Sequence, residues 1–230
     1  MADRVERFKT ELVAAFGHRI ECLAMVGSHA RGDAHAGSDI DLWLFLDRVS
    51  LEDLRVVGQL VARAGRKPEI NVQCATFAEV ATGSFQEGFS PLQLHFDGCV
   101  LHGELRLPPP TERQVLAAAG AISAFVLMSC RHYIASQEPE ESLAKGKIRN
   151  WVLKPLMWAL RYDVLARTGT YPVTIEELAQ TPISQEARDL VLIFKQLLTS
   201  DCAGPCMPIV ERAEALSRLL VQRVEGRQGV

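Results

Sequence analysis

Several features that would assign the chain to a class of protein are missing from its sequence. None of its apolar runs approaches the roughly 18 residues that a membrane-spanning helix needs. The chain has no run of lysine and arginine with interleaved aromatic residues, and its net charge is −3, which disfavours binding to nucleic acid. It also has no Gly-x-x-x-x-Gly-Lys-Ser/Thr motif, which disfavours a P-loop kinase.

A secretory signal and a disulfide framework are missing as well. Asp3, Glu6 and Glu11 interrupt the first sixteen residues, and a signal peptide is not acidic there. Most of the six cysteines lie in apolar surroundings without a histidine cluster, which indicates core residues rather than disulfides or a zinc site. We therefore expect a cytoplasmic protein that does not contact a membrane.

The composition, with 48% hydrophobic and 23% charged residues, is that of an ordinary soluble protein. Its 230 residues suit two small domains or one large one. Three successive prolines, Pro108 to Pro110, cannot continue a helix and form a stiff connector. We therefore predict two domains, residues 1–107 and residues 108–230.

The first domain shows strands separated by turns and helices. Apolar runs predict strands at Cys22 to Val26 and Ile40 to Leu46, and alternation of polar and apolar residues predicts a third at residues 68–76. A closing strand is predicted at residues 98–103. We also predict helices at residues 3–16, after Ser50 and at residues 89–97. Together these elements give a small mixed sheet with helices packed against it.

The second domain has helical periodicity throughout. Capping boxes begin helices at Thr111 and Thr174, and a longer helix is predicted from about Glu141 to Thr168, kinked or split at Pro155. Trp151 and Trp158 lie seven residues apart, so they are predicted to share one buried helix face. The fold class is therefore α+β, a small mixed β-sheet domain followed by an all-α helical bundle.

Two acidic residues begin the second strand. Side chains alternate along a strand, so Asp39 and Asp41 point to one face while Ile40 and Leu42 point to the other. Two such carboxylates lie about 6.6 Å apart at the backbone, and their repulsion is about 2.5 kcal/mol at an effective dielectric near 20. Solvent, a proton or a cation must offset that cost, and magnesium is the cation that carboxylates and phosphates hold together.

The residues around this pair form a longer pattern. Gly27-Ser28, Ala30-Arg31-Gly32 and Ser38-Asp39-Ile40-Asp41-Leu42 stand at fixed spacing within sixteen residues. The pattern resembles that of the nucleotidyltransferase superfamily, which includes DNA polymerase beta and the antibiotic nucleotidyltransferases. The resemblance is sharp from Gly27 to Asp47, looser to about Leu107 and faint beyond.

The resemblance implies which residues are catalytic. Asp39, Asp41 and Glu69 match the three carboxylates that hold two Mg²⁺ ions in the family, with Glu69 either a metal ligand or the general base. A shift of strand register would put Asn71 in the place of Glu69.

The resemblance also implies a nucleotide site. Gly27, Ser28 and Ser38 would lie against the nucleoside triphosphate, and Arg31 would either contact its phosphates or brace the loop through Asp33 or another carboxylate. Lys147, with Lys145 and Lys154, is a candidate to reach the triphosphate from the second domain. The alternative for these lysines is a solvated helix face.

The implied activity is magnesium-dependent transfer of a nucleoside monophosphate, AMP from ATP, to a hydroxyl of a small molecule, with release of pyrophosphate. The acceptor would be an antibiotic such as an aminoglycoside or a lincosamide, and the enzyme a monomer or homodimer. Two alternatives stay open: an antitoxin-like enzyme that modifies proteins, and a non-catalytic module that senses nucleotides.

Overall fold

The computed structural model describes residues 2–35, 37–65, 67–81, 90–200 and 204–228. The chain forms two compact units, Met1–Pro110 and Thr111–Val230. Over the described residues, a small mixed sheet with helices makes up the first unit and helices make up the second, which confirms the α+β prediction.

Among its described residues, the first unit has four strands, with helices before and between them. The strands are β1 (Ile20–Val26), β2 (Ile40–Leu46), β3 (Ile70–Ala75) and β4 (Cys99–Gly103). The α-helices are α1 (Ala2–Phe16), α2 (Gly27–Arg31), α3 (Leu51–Ala64), α4 (Phe77–Val80) and α5 (Ser90–Asp97), and a 3₁₀ turn spans Gly17–Arg19. The predicted helix at residues 89–97 is confirmed from Ser90 onward, and Phe89 lies outside the described residues.

The strand order β3-β2-β1-β4 brings separate parts of the sequence to one edge of the sheet. β1 runs antiparallel to β2, with Val26 opposite Asp41, whereas β3 runs parallel to β2, with Asn71 opposite Asp41. The carboxyl end of β1 therefore meets the amino ends of β2 and β3. Gly27, Asp39 and Glu69, which directly adjoin those three strand ends, lie at this same edge.

Both faces of the sheet are covered, because β2 carries apolar side chains in both directions. Ile40, Leu42 and Leu44 pack with α1 and α3 in one core cluster. Trp43 and Phe45 lie in a second cluster on the opposite face, and the Phe45 ring stacks on Phe77 of α4 at a centroid distance of 4.3 Å. Asp41 has the same parity as Trp43, so its carboxylate opens onto the second face.

An ion pair ties the start of α3 to the turn before β1. Arg19 donates to both carboxylate oxygens of Asp53, at 2.7 and 3.0 Å, and Asp53 also caps the helix with Ser50. Hydrogen bonding to Arg19, and then to Ser50, holds the pKa of the Asp53 carboxyl well below its usual range. The pair therefore stabilises the fold above the unfolded-chain pKa of about 4, and that contribution is lost as the pH falls toward the lower folded-state pKa.

Replacing Asp53 with asparagine should therefore make the melting temperature depend less on pH at acidic pH. The wild-type melting temperature should exceed that of Asp53→Asn at pH 7, and the gap should close as the pH falls below about 4. Thermal melts across this pH range measure the gap. Glu52→Gln, which removes an exposed neighbouring carboxylate, should keep the wild-type slope; a gap that stays constant with pH would contradict the assignment.

The second unit consists of helices. They are α6 (Glu112–Ala135), α7 (Glu140–Ser142), a π-helix (Leu143–Leu153), α8 (Lys154–Thr168), α9 (Ile175–Gln180), α10 (Gln185–Leu197) and α11 (Met207–Gln228). The predicted capping boxes at Thr111 and Thr174 are present. Near Pro155, where the sequence predicts a kink or split, the helix changes from π to α at Lys154.

α6 is long and apolar enough, by length and composition, to cross a membrane. Core helices of soluble proteins also meet these two criteria. In this chain α6 packs against α8 and α11 and buries one face in the core of the helical unit, including Val115, Ile122 and Val126.

The prediction that both tryptophans are buried is wrong for one of them. Trp158 is 7% exposed, whereas Trp151 is 55% exposed beside Phe125 of α6, itself 45% exposed. Trp151 lies in the π-helix, where each turn is wider than in an α-helix. The seven-residue spacing therefore does not return to the same face as Trp158.

Candidate active site

The two acidic residues at the start of β2 face the same side of the sheet. The amide nitrogen of Asn71 donates to Asp39 Oδ2 at 2.9 Å and to Asp41 Oδ1 at 3.3 Å. All three side chains are half-buried. A single donor within reach of both carboxylates shows that their oxygens converge on one position at the edge of the sheet.

The backbone of Gly27 lies directly against one of these carboxylates. A Cβ atom at Gly27 would be 2.7 Å from Asp41 Oδ2, and the residue has a φ of +78°. The positive φ favours glycine at this position, and any Cβ here would force the Asp41 carboxylate to shift. The chain turns here from β1 into the five-residue α2, and beyond the end of that helix the N–H of Asp33 donates to the carbonyl of Ser28 at 2.9 Å.

The loop between α2 and β2 is closed by Ser38, which is buried. Its hydroxyl accepts the N–H of His35 at 2.9 Å, and its own N–H donates to the His35 carbonyl at 2.9 Å. These two bonds fix the position of Ser38, the residue directly before Asp39. Its contact with a nucleotide stays a prediction.

Of the two roles left open for Arg31, the structure shows the brace. Its guanidinium donates to Asp33 at 3.2 Å and to Asp97 at 3.0 Å. The side chains of Arg31, Asp33 and Asp97 are 8%, 7% and 0% exposed. This buried ion pair joins α2 to the end of α5, so Arg31 holds the glycine turn in place.

Replacing Arg31 with glutamine should destabilise the protein. The substitution leaves the buried Asp97 carboxylate without its Arg31 partner, and breaking a buried pair in this way costs about 3 kcal/mol. Urea unfolding measures this loss, with Arg55→Gln as the control because the Arg55 side chain is 71% exposed. An unchanged unfolding midpoint combined with weaker nucleotide binding would instead show that Arg31 acts on the phosphates.

Glu69 lies at the same edge of the sheet as Asp39 and Asp41. Glu69 is exposed, and its carbonyl accepts the N–H of Ile40 at 2.8 Å, beside Asp39. Within the described ranges, no three or more His, Cys, Asp and Glu side chains form a group that could hold a metal ion. Asn71 donates to both Asp39 and Asp41, and the part of Glu69 as third ligand or base stays a prediction.

Lys147 has partners inside the helical unit. It forms an ion pair with Glu138 and lies over the Tyr133 ring, 5.8 Å from its centroid. Hydrogen bonding to Lys147 holds the pKa of the Glu138 carboxyl below its usual range. The side chain of Lys145 lies outside the described residues, and contact of any of these lysines with a triphosphate stays a prediction.

Sequence reasoning gave Asn71 only as an alternative to Glu69 and did not single out Asp97 as the partner of Arg31. Asn71 was detectable, since it lies on the polar face of a clearly alternating strand. Asp97 carried no such signal because it stands 66 residues from Arg31.

Comparison with known proteins shows which proteins the residues of this site resemble. Residues 5–88 match the family model of the nucleotidyltransferase domain. The match spans the Gly-Ser turn, both aspartates and Glu69, and it confirms the resemblance read from Gly27 to Asp47. Residues 5–88 of the first unit are thus similar to a nucleotidyltransferase domain.

Among solved structures, the chain is similar to the crystal structure of spectinomycin adenyltransferase AAD(9) from Enterococcus faecialis with ATP and spectinomycin. The TM-score is 0.61 at 12% identity, over 96% of this chain and 99% of that chain. At this identity the likeness establishes a shared fold. No curated protein sequence matches significantly.

Proposed function

We propose that the protein is a metal-dependent nucleotidyltransferase that transfers AMP from ATP to a hydroxyl of a small-molecule antibiotic. The observation that carries the proposal is the convergence of Asp39 and Asp41 on one position, with the Gly27 backbone against Asp41. The nucleotidyltransferase family model and the likeness to an adenyltransferase crystallised with ATP and spectinomycin support it.

The residues at the sheet edge suit magnesium. Asp39 and Asp41 supply converging carboxylate oxygens, which are the ligands that Mg²⁺ takes from proteins when it also binds substrate phosphates. The two aspartates would hold two Mg²⁺ ions. Glu69 at the same edge would either complete the second metal site or take the proton of the acceptor hydroxyl. Bound Mg²⁺ offsets charge on the phosphates and lowers the pKa of an acceptor hydroxyl.

The remaining residues of the edge bind and orient the nucleotide. Gly27 and Ser28 present backbone N–H groups and a hydroxyl to the β- and γ-phosphates. Arg31 keeps this turn in place through its buried ion pair, and Ser38 fixes the loop that leads to Asp39. The acceptor oxygen then attacks the α-phosphorus, the bond to the bridging oxygen breaks and pyrophosphate leaves. Glu69, if it is the general base rather than a metal ligand, takes the hydroxyl proton.

The charge of the helical unit bears on which class of antibiotic is the acceptor. Aminoglycosides are polycations and favour acidic pockets, but the helical unit has nearly equal numbers of basic and acidic residues. A few well-placed carboxylates suffice for an aminoglycoside, and a less charged antibiotic such as a lincosamide suits the helical unit equally well.

The test is pyrophosphate release from each nucleoside triphosphate with Mg²⁺, measured across a panel of aminoglycosides and lincosamides. Release that depends on one acceptor and is lost in Asp39→Asn would establish the reaction and its substrate class. Nucleotide binding without release for any acceptor would overturn the small-molecule proposal and direct the search to a protein target or a sensor.

A further inference from the structure

Asn71 occupies the position on β3 that adjoins both carboxylates of β2. The parallel register places it opposite Asp41, and its amide nitrogen reaches Asp39 as well. The orientation of the amide follows from its chemistry. Ionised carboxylates only accept hydrogen bonds, so the NH₂ end of the side chain must face them.

The two hydrogens of this NH₂ group match the two carboxylates. Each carboxylate gains one charge-assisted hydrogen bond, and these bonds offset the repulsion between two like charges held close together. A divalent cation that binds Asp39 and Asp41 offsets the same repulsion. Asn71 therefore offsets the repulsion between the two carboxylates in the metal-free protein, and the cation offsets it in the metal-bound protein.

The neutral charge of Asn71 also matters. An aspartate at this position would add a further carboxylate beside Asp39 and Asp41 and make the charge of the site more negative by one. Affinity for hard cations increases with the number of charged ligands. A neutral residue at this position therefore keeps the cation affinity of the site lower until triphosphate oxygens add to it.

We propose that Asn71 is a positioning residue that holds Asp39 and Asp41 in their shared orientation without metal and limits the affinity of the pair for divalent cations. This inference rests on the proposed function, since it takes Asp39 and Asp41 as the cation ligands. It assigns Asn71 no contact with substrate.

The first test compares melting temperatures with EDTA and with saturating Mn²⁺, which replaces Mg²⁺ as the probe. Asn71→Ala should lower the melting temperature in EDTA by about 4 °C, and by clearly less with Mn²⁺, because the cation then offsets the repulsion. Gln73→Ala, an exposed polar residue on the same strand, should change neither value. An equal loss in both conditions would show a merely structural role and overturn the proposal.

The second test is Mn²⁺ affinity, followed by electron paramagnetic resonance of the free ion. Asn71→Asp should lower the Mn²⁺ dissociation constant about tenfold, because it adds a charge to the site. An unchanged dissociation constant, while Asp39→Asn abolishes binding, would overturn the role of Asn71 and leave the proposed function intact. Mn²⁺ binding that does not depend on Asp39 would overturn both.

Discussion

Replacing Asp41 with asparagine should reduce acceptor-dependent pyrophosphate release by about 10³-fold, which corresponds to several kcal/mol of lost charge stabilisation in the transition state. The Asp41 carboxylate lies between the Gly27 backbone and the Asn71 amide, so no neighbouring carboxylate can readily take its place. Because asparagine has the same shape and removes only the charge, the fold should be retained. Steady-state rates with saturating Mg²⁺, beside a thermal melt, measure both effects.

The control for this prediction removes a carboxylate elsewhere in the same unit. Glu52 is 75% exposed at the start of α3, so Glu52→Gln should keep both the rate and the melting temperature of the wild type. Loss of less than about tenfold in Asp41→Asn would show that Asp41 does not bind the metal.

Replacing Gly27 with alanine should reduce the same activity by about 10²-fold, the loss expected when reacting groups are displaced by about 1 Å. The new Cβ would lie 2.7 Å from Asp41 Oδ2, so either the carboxylate or the turn must move. The positive φ adds about 1 kcal/mol of backbone strain, which should lower the melting temperature as well. Rates and thermal melts of the same preparation separate the two effects.

Gly17 provides a matched control for that substitution. It also has a positive φ, of +54°, but nothing lies within 4 Å of a Cβ built there. Gly17→Ala should therefore show the strain as a lower melting temperature and keep the activity of the folded enzyme. If Gly17→Ala and Gly27→Ala lose activity equally, the close approach to Asp41 is not the cause.

The sequence was most informative where local rules decide the structure. Alternation along β2 correctly predicted that Asp39 and Asp41 share a face, opposite Ile40 and Leu42. Capping boxes located the starts of three helices, because a cap is a short-range pattern of hydrogen bonds. These features need only a few neighbouring residues.

Features that depend on distant residues were harder to predict. The brace from Arg31 to Asp97 and the contact of Asn71 with both aspartates require the strand order and register, which no local pattern encodes. The exposure of Trp151 depends on the π-helix before Pro155. Periodicity arguments assume a constant number of residues per turn, and they fail where that number changes.

The meeting of three strand ends at one edge of the sheet has a consequence for refolding. Gly27, Asp41 and Asn71 come from segments that are adjacent only after β1 has paired with β2 and the connection through α3 has returned the chain to β3. Such non-local pairings form late, because the entropy of closing the intervening loops must be paid first. An intermediate with native helices but an unpaired third strand would thus be inactive, and recovery of enzyme activity would report completion of the sheet.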